Sequence, residues 1–298
     1  MSHSHDHGAG ASTNAFRVGV ILNLAFVLIE VIAGLAAHSL ALLADAGHNL
    51  SDVLGLGLAW GAAEMSRRKP TPRRTYGLRR STILAALANA VLLLVAIGAI
   101  GWEAVQRLLQ PHPVEGLTVA IVAGAGVAVN GVTAMLFMRG RADDLNVRGA
   151  FLHMIADAAV SAAVVLAGLG MRWTGWTWLD PLTSLAVAAV ILVGTWGLLR
   201  ESFALAMDAV PEGIDPHEVR TYLRGLTGVA AVHDLHIWAM STTEAALTAH
   251  LVCGENWADA TLSGIRDDLH RRFGIEHVTI QVEREEHGPC AQEPESVV

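Results

Sequence analysis

Six long apolar stretches in the first 200 residues constrain this chain more than any other feature of its sequence. They cover residues 16–37, 40–64, 82–106, 115–138, 147–170 and 178–199. A helix needs about 20 mostly apolar residues to cross a hydrocarbon core of ~30 Å, and each stretch meets this requirement. Runs such as 83–99 have no polar stripe to face water, which disfavours the alternative of helices buried in a soluble core. The sequence therefore predicts an α-helical membrane protein with six transmembrane helices.

The positions of the cations predict which loops face the cytoplasm, because Lys and Arg are retained on that side. Seven of them lie in the loop at residues 67–80 and three more at residues 139–148, whereas the loops after the first, third and fifth stretches contribute only Arg107 and Arg172. Both termini are therefore expected in the cytoplasm. The opening residues are polar and lack the order of a cleaved signal peptide. The first stretch is therefore expected to be retained. Short loops, the absence of a transit peptide and the compact tail favour a bacterial inner membrane.

The last third of the chain has the composition of a water-soluble, acidic domain. Residues 201–298 hold 17 Asp and Glu against 6 Lys and Arg, whereas residues 1–200 carry a small positive excess. Helix and strand patterns alternate over 216–226, 230–240, 244–253, 258–273 and 277–283. This αββαβ order predicts a small cytoplasmic α+β domain. The expected divisions are an N-terminal segment (1–15), a membrane domain (16–203), the cytoplasmic domain (204–286) and a loose tail (287–298).

Composition excludes several other classes of protein. With 53% hydrophobic and 16% charged residues, a single water-soluble domain is not expected. Two cysteines are too few for a disulfide scaffold. A net charge of −8 and 5% aromatic residues argue against nucleic acid as a partner.

Ionisable side chains form the same pattern in two of the apolar stretches. His48 and Asp52 lie in the second, and His153 and Asp157 in the fifth. Both pairs are His-x-x-x-Asp, a spacing that puts the two side chains one turn apart on one helix face. Two imidazoles and two carboxylates suit a tetrahedral ion of the zinc type, and the two carboxylates cancel its charge. The alternative, that each pair only joins helices as an ion pair, is disfavoured because the pattern occurs twice.

Asp45 and Glu30 are acidic residues inside the apolar stretches that need an interpretation of their own. Asp45 precedes His48 by one turn on the same face. It is interpreted either as an accessory metal ligand or, equally, as a partner for the backbone or a neighbouring helix. Glu30 is the single acidic residue of the first stretch, and we interpret it as a structural hydrogen-bonding group that a proton could visit.

Several segments of the chain together resemble the cation diffusion facilitators, a family of proton-coupled exporters of zinc and related divalent metals. The resembling segments are 39–52, 76–80, 83–89, 153–157, 180–184, 233–238 and 278–281. The resemblance covers nearly the whole chain. It implies that His48, Asp52, His153 and Asp157 hold the transported ion, and that the cytoplasmic domain is metallochaperone-like, or ferredoxin-like. Position 48 is Asp in some relatives, and a His there is similar to the zinc-preferring branch.

The resemblance also suggests metal binding in the cytoplasmic domain. His233, His236 and His250 lie on two strands that we expect to pair, and Glu283 lies on the third. Some relatives bind metal in this region between subunits, but Gln281 stands where certain relatives have a histidine, so an identical site is not expected. A regulatory metal site built from these residues is the favoured interpretation, and ordinary surface histidines are the alternative.

Histidines and cysteines at other positions allow weaker predictions. His3, His5 and His7 alternate in the N-terminal segment, where they either capture a divalent ion loosely or belong to a solvated tail. Cys253 ends a predicted strand and is expected to be buried and inert. Cys290 in the tail is a candidate metal or redox contact without further support.

The expected function is export of Zn²⁺, with Cd²⁺ and Co²⁺ as other candidate substrates, in exchange for protons. Metal binding displaces protons because a bound imidazole is neutral and a bound carboxylate ionised, so His48 and His153 are the expected proton carriers. A homodimer joined by the cytoplasmic domain is expected, and no prosthetic group. An intramembrane metalloenzyme is disfavoured because the chain has no His-Glu-x-x-His motif. A membrane metal sensor without transport would use every one of the same ligands.

Overall fold

The computed structural model describes residues 9–138, 145–254 and 260–284. Within them, one long helix covers each predicted apolar stretch, with ends that differ by a few residues. These helices are α1 (Ala9–Ala37), α2 (Leu40–Ser66), α3 (Ser81–Leu109), α4 (Gly116–Phe137), α5 (Leu145–Thr174) and α6 (Leu179–Ala206). The largest differences are at the start of α1 and the end of α6, where polar residues continue the helix beyond its apolar part.

Four segments of the described helices are long and apolar enough to cross a membrane. They are Ser81–Leu109, Gly116–Leu136, Phe151–Thr174 and Leu179–Ala206. In α1, a shorter apolar stretch runs over Ile21–Ala37. Large apolar side chains such as Leu92, Val95 and Val193 are exposed on the outer faces of the helices, as expected for a surface in contact with lipid. The chain therefore has a multi-pass helical membrane domain.

Small residues let α4 and α5 approach each other closely. A methyl group added to Gly116 would lie 2.6 Å from the carbonyl oxygen of Gly168, and one added to Gly168 would lie 2.7 Å from the backbone nitrogen of Ala120. Only glycine fits at such contacts, which are common where membrane helices pack. A methyl group on Gly126 would likewise lie 2.8 Å from the ring of Phe26 in α1. Helices α1, α4 and α5 thus pack around one junction.

The start of α2 is fixed by a side chain of α6. The buried carboxylate of Asp180 accepts hydrogen bonds from the backbone nitrogen of Leu40 at 2.8 Å and from the hydroxyl of Ser39. His38, in the turn before α2, has a positive φ of 54°, and its carbonyl oxygen accepts a hydrogen bond from Arg107 of α3. These contacts satisfy backbone groups that a helix start leaves unpaired, and they set the position of α2.

The cytoplasmic domain has the predicted αββαβ order. Its elements are α7 (Pro216–Arg224), β1 (Val229–Ala239), β2 (Ala245–Cys253), α8 (Ala260–Phe273) and β3 (Ile275–Arg284). Strand β2 is central, antiparallel to β1 and parallel to β3. The parallel pair requires a crossover, which α8 provides. Leu223, Leu247, Leu251 and Leu269 are fully buried in the core between the helices and the sheet.

The loop between α2 and α3 belongs to the same compact unit as the cytoplasmic elements. This unit combines residues 58–88 with the chain after residue 198. Arg79 of the loop donates to Glu244 at 2.6 Å, and Arg80 forms an ion pair with Asp208. The ring of Tyr76 lies edge-on to His277, with centroids 5.5 Å apart.

Candidate metal sites

Two helices of the membrane domain bring together the histidines and an aspartate of the His-x-x-x-Asp pairs. Nε2 of His48 on α2 lies 3.3 Å from Oδ1 of Asp157 on α5. Nε2 of His153, one turn before Asp157, lies 3.5 Å from Oδ2 of the same carboxylate. The two imidazole rings are edge-on, with centroids 6.0 Å apart. The carboxylate thus lies between two nitrogen donors, an arrangement typical of a small divalent cation site.

Asp157 is the most deeply buried member of this group. The side chain of Asp157 is 4% exposed and that of His48 is 18% exposed, whereas that of His153 is 42% exposed. Apolar residues of α3 and α6, including Ile97 and Ile191, line a narrow cavity beside His48. Burial of a carboxylate with two imidazoles needs a compensating charge, which a metal ion or protons would supply. Asp52 belongs to α2, but its side chain lies outside the described part of the structure.

A layer of buried polar groups lies next to the His48 and Asp157 pair. Oδ2 of Asp45 accepts a hydrogen bond from the hydroxyl of Ser161 on α5 at 2.9 Å. Oε2 of Glu30 on α1 accepts one from the amide of Asn49 on α2 at 3.2 Å. Asp45 and Glu30 are fully buried. Asp45 therefore has a hydrogen-bond partner on a neighbouring helix, as a structural role requires. Glu30 has the structural hydrogen bond that the sequence led us to expect.

A second candidate metal site lies on the sheet of the cytoplasmic domain. Nδ1 of His250 on β2 lies 2.9 Å from Oε1 of Glu283 on β3, and Nε2 of His233 on β1 lies 3.0 Å from Oε2 of the same carboxylate. One ligand atom from each residue lies within 4.8 Å of the others. Both histidines are buried. Three of the four residues predicted for this site are therefore adjacent.

His236 is separate from this group in the described structure. Its Nε2 lies 2.8 Å from Oδ1 of Asp234, whose Oδ2 is 3.4 Å from Nε2 of His250. Asp234 has a positive φ of 49°, and the register of β1 shifts between His233 and His236. The irregular strand turns Asp234 towards the histidines. Sequence analysis missed Asp234, although an aspartate between two histidines of one strand is a signal that could have indicated it.

Three other residues of β3 contact the site or residues outside it without adding a ligand. Gln281 donates to Oε1 of Glu283 at 3.0 Å, so it supports this carboxylate. Glu276 lies 3.4 Å from Nδ1 of His270, and His277 contacts Tyr76. They are therefore not ligands in this arrangement.

Of the remaining predicted residues, only Cys253 lies in the described part of the structure. Cys253 is buried, and burial raises the pKa of its thiol, which keeps it protonated and unreactive as expected. His3, His5, His7 and Cys290 lie outside the described residues.

Comparison with known proteins identifies both parts of the chain. A family model described as cation efflux transmembrane domain matches residues 16–205, and one described as cation efflux protein, cytoplasmic domain, matches residues 211–285. The zinc transporter ZitB of Escherichia coli is 39% identical over 97% of this chain and 95% of its own length. The metal cation efflux system protein CzcD of Cupriavidus metallidurans is 35% identical over 97% and 91%. A cadmium, cobalt and zinc/H(+)-K(+) antiporter of Bacillus subtilis is 34% identical over 95% and 93%.

Proposed function

Since this chain belongs to the cation efflux family, also known as the cation diffusion facilitators, we propose that it exports Zn²⁺ from the cytoplasm in exchange for protons. The family consists of transporters, and the chain is not an enzyme. The observation that supports the proposal best is the Asp157 carboxylate between the imidazoles of His48 and His153 within a helical membrane domain. The name of the relative ZitB gives zinc as its substrate, and that of the Bacillus subtilis relative gives cadmium, cobalt and zinc with H⁺ and K⁺ as the exchanged ions.

The transported ion is held by His48, Asp52, His153 and Asp157. Two nitrogen and two oxygen ligands suit the tetrahedral coordination of Zn²⁺, whereas Mg²⁺ requires six oxygens in an octahedron. Two ionised aspartates neutralise the ion, which lowers the cost of placing it inside the membrane. Co²⁺ and Cd²⁺ accept similar ligands and are candidate substrates as well. Asp45 is retained as a candidate accessory ligand, with its hydrogen bond to Ser161 favouring a structural role.

Protons and Zn²⁺ compete for the same atoms in this mechanism. A histidine binds the ion as neutral imidazole, so loading from the cytoplasm releases protons and unloading on the other side allows protons to return. His48 and His153 carry these protons because imidazole titrates near neutral pH. An inward proton gradient then drives outward movement of the metal.

The membrane domain (16–203) crosses the bacterial inner membrane six times, and both termini lie in the cytoplasm. The positive charges at residues 67–80 support this orientation, because Lys and Arg are retained on the cytoplasmic side of a membrane. The N-terminal segment (1–15) contributes His3, His5 and His7 as a loose capture site. The cytoplasmic domain (204–286), with its αββαβ order, is of the ferredoxin-like type and is followed by a C-terminal tail (287–298).

The cytoplasmic domain joins two copies of the chain and senses metal. His233, His250 and Glu283 bind a regulatory Zn²⁺, and Asp234 and His236 lie close enough to extend the site. Two imidazoles and a carboxylate in a buried position fit zinc. If this site binds Zn²⁺ more tightly in one conformation of the transporter than in the other, its occupancy shifts the membrane domain towards that conformation.

Zinc entry into proteoliposomes tests transport against the sensor alternative. The intact chain is purified, reconstituted and supplied with Zn²⁺ outside, with and without an imposed pH gradient, and entry is followed with a trapped fluorescent indicator. An exchanger moves Zn²⁺ faster when the vesicle interior is acidic and releases protons as it does so. Tight zinc binding without flux under any gradient would instead favour a metal sensor.

A further inference from the structure

Asn130 of α4 is a fully buried amide without a hydrogen-bond partner in the described part of the structure. Its side chain has no solvent exposure, and neither Oδ1 nor Nδ2 is paired with another described residue. Thr133, one turn later on the same helix, is also buried but is hydrogen-bonded, because its hydroxyl donates to the carbonyl oxygen of Val129 at 2.8 Å. Buried polar groups in proteins are almost always hydrogen-bonded, so an isolated amide indicates a function beyond packing.

The packing of α4 against α5 places Asn130 level with the candidate transport site. Helices α4 and α5 are antiparallel. Gly116 is next to Gly168 and Gly126 is next to Ser161, so residue numbers rise along α4 while they fall along α5. A methyl group on Gly126 would lie 3.1 Å from the hydroxyl of Ser161. Asn130 lies one turn beyond Gly126, and Asp157 lies one turn before Ser161. The two residues therefore occupy the same level of the helix pair.

The neighbouring helix α1 confirms that this level is enclosed. The ring of Phe26 lies at the same position, Gly126, and the amide of Asn23 donates to the sulfur of Met154 at 3.8 Å. Asn130 shares the face of Gly126, so it lies at the junction of α1, α4 and α5.

Asp157 has an oxygen that requires a donor of this kind. Oδ1 faces His48, whereas Oδ2 accepts no hydrogen bond from the described residues and has only the longer 3.5 Å approach of His153. Carboxylates that bind metal are normally oriented by a hydrogen bond from an outer group, and loss of such a group typically weakens metal binding about 10-fold to 100-fold. Asn130 offers two N–H donors and no charge, so it would orient the carboxylate without competing with the ion.

We propose that Asn130 is a positioning residue of the transport site, whose amide donates to the carboxylate of Asp157 through one water molecule between the two side chains. This inference rests on the proposed function, because it assumes that Asp157 binds the transported ion. Helix α4 would thereby support a site whose metal ligands all lie on α2 and α5.

The test compares Asn130→Leu with a matched control, Thr133→Val, in the full-length protein. Both substitutions remove a buried polar group from α4 and keep the branched shape of the side chain, although leucine is larger than asparagine. The zinc concentration that gives half-maximal flux into proteoliposomes and the thermal midpoint in detergent are measured for each. For Asn130→Leu we expect the half-maximal concentration to rise about 10-fold to 100-fold, with a thermal midpoint equal to or above that of the intact chain. For Thr133→Val we expect a half-maximal zinc concentration within about twofold of that of the intact chain.

A folded Asn130→Leu protein with unchanged zinc dependence would overturn the inference, because a purely structural amide affects only stability. Asn130→Ala provides a second variant, and it must weaken zinc dependence in the same direction. Asp157→Ala is measured in parallel. If Asp157→Ala transports zinc normally, the proposed site itself is wrong and the role of Asn130 fails with it. If only Asp157→Ala is impaired, the site stands and the inference about Asn130 is refuted.

Discussion

Nε2 of His48 lies 3.3 Å from Oδ1 of Asp157, although the two residues are 109 positions apart in the chain. Each belongs to a different His-x-x-x-Asp pair, so the contact joins the two pairs across α2 and α5. Each pair alone would be two ionisable groups on the face of one apolar helix. Together they form a compact set of nitrogen and oxygen donors that a proton or a divalent cation can occupy.

Replacement of His48 by aspartate is expected to change the choice of metal. His48→Asp exchanges an imidazole for a carboxylate, and oxygen ligands favour Mn²⁺ more than nitrogen ligands do. We expect the ratio of Mn²⁺ to Zn²⁺ transport to rise severalfold, measured by competition between the two ions in proteoliposomes. His112→Asp, in the exposed connection before α4, is the control and should leave the ratio unchanged. A ratio unaltered by His48→Asp would contradict the assignment of His48 as a ligand.

Loss of His250 is expected to remove a zinc site from the cytoplasmic domain. His250→Ala removes the imidazole that contacts both Glu283 and Asp234, so the remaining residues no longer form one compact set of zinc ligands. The full-length variant should bind one Zn²⁺ fewer per chain in equilibrium dialysis at neutral pH. The exposed His217 supplies the control His217→Ala, which should bind as many ions as the intact chain. Equal stoichiometry in both variants would exclude the site.

Asp180 is expected to contribute more to stability than its neighbour Ser184. Asp180→Ala leaves the backbone nitrogen of Leu40 and the hydroxyl of Ser39 unpaired, at a cost of about 3 kcal/mol. Ser184→Ala removes only a bond to the backbone oxygen of Asp180 in the same helix, which should cost less than about 1 kcal/mol. Thermal unfolding in detergent measures both. Equal midpoints for the two variants would show that the Asp180 contacts do not stabilise α2.

Tyr222 is expected to ionise at unusually high pH. Burial, and then the hydrogen bond from its hydroxyl to Asp268, raise its pKa to about 12. A raised pKa favours the neutral phenol in the folded state. Its contribution to stability is therefore fully present below the ordinary pKa of 10 and is lost as the pH rises through the folded value.

The ultraviolet absorbance of tyrosinate measures this pKa. The chain has two tyrosines, so Tyr76→Phe isolates the signal of Tyr222. Asp268→Asn in that background should lower the pKa of Tyr222 towards 10, because it removes a nearby negative charge. An unchanged or higher value would mean that Asp268 has no such effect.

Periodicity and spacing predict most of the architecture. The long apolar runs locate α1 to α6, and the αββαβ order follows from the alternation of helix and strand patterns after residue 204. Both patterns depend on local sequence alone, which is why they can be read without tertiary information. The His-x-x-x-Asp spacing likewise predicts which side chains share a helix face, and His48, His153 and Asp157 lie together.

Residues that act through tertiary contacts could not be predicted in this way. Asp45 shares a helix face with His48, yet its pairing with Ser161 depends on how α2 and α5 pack. Asn130 has no distinctive spacing, and its significance comes from complete burial opposite another helix. Asp234 joins the cytoplasmic histidines because β1 is irregular at that point, and a regular strand would have turned its side chain to the other face.

Zinc flux by a variant of Asp157 tests the central claim most directly. Asp157→Asn keeps the size of the side chain and removes its charge, so the fold should survive while the ion loses a ligand. The initial rate of Zn²⁺ entry is measured under an imposed pH gradient for the variant and the intact chain at equal protein density. The account predicts a rate for Asp157→Asn no higher than that of protein-free vesicles. Gradient-driven entry at the rate of the intact chain would contradict it, because the ion would then cross without the Asp157 carboxylate.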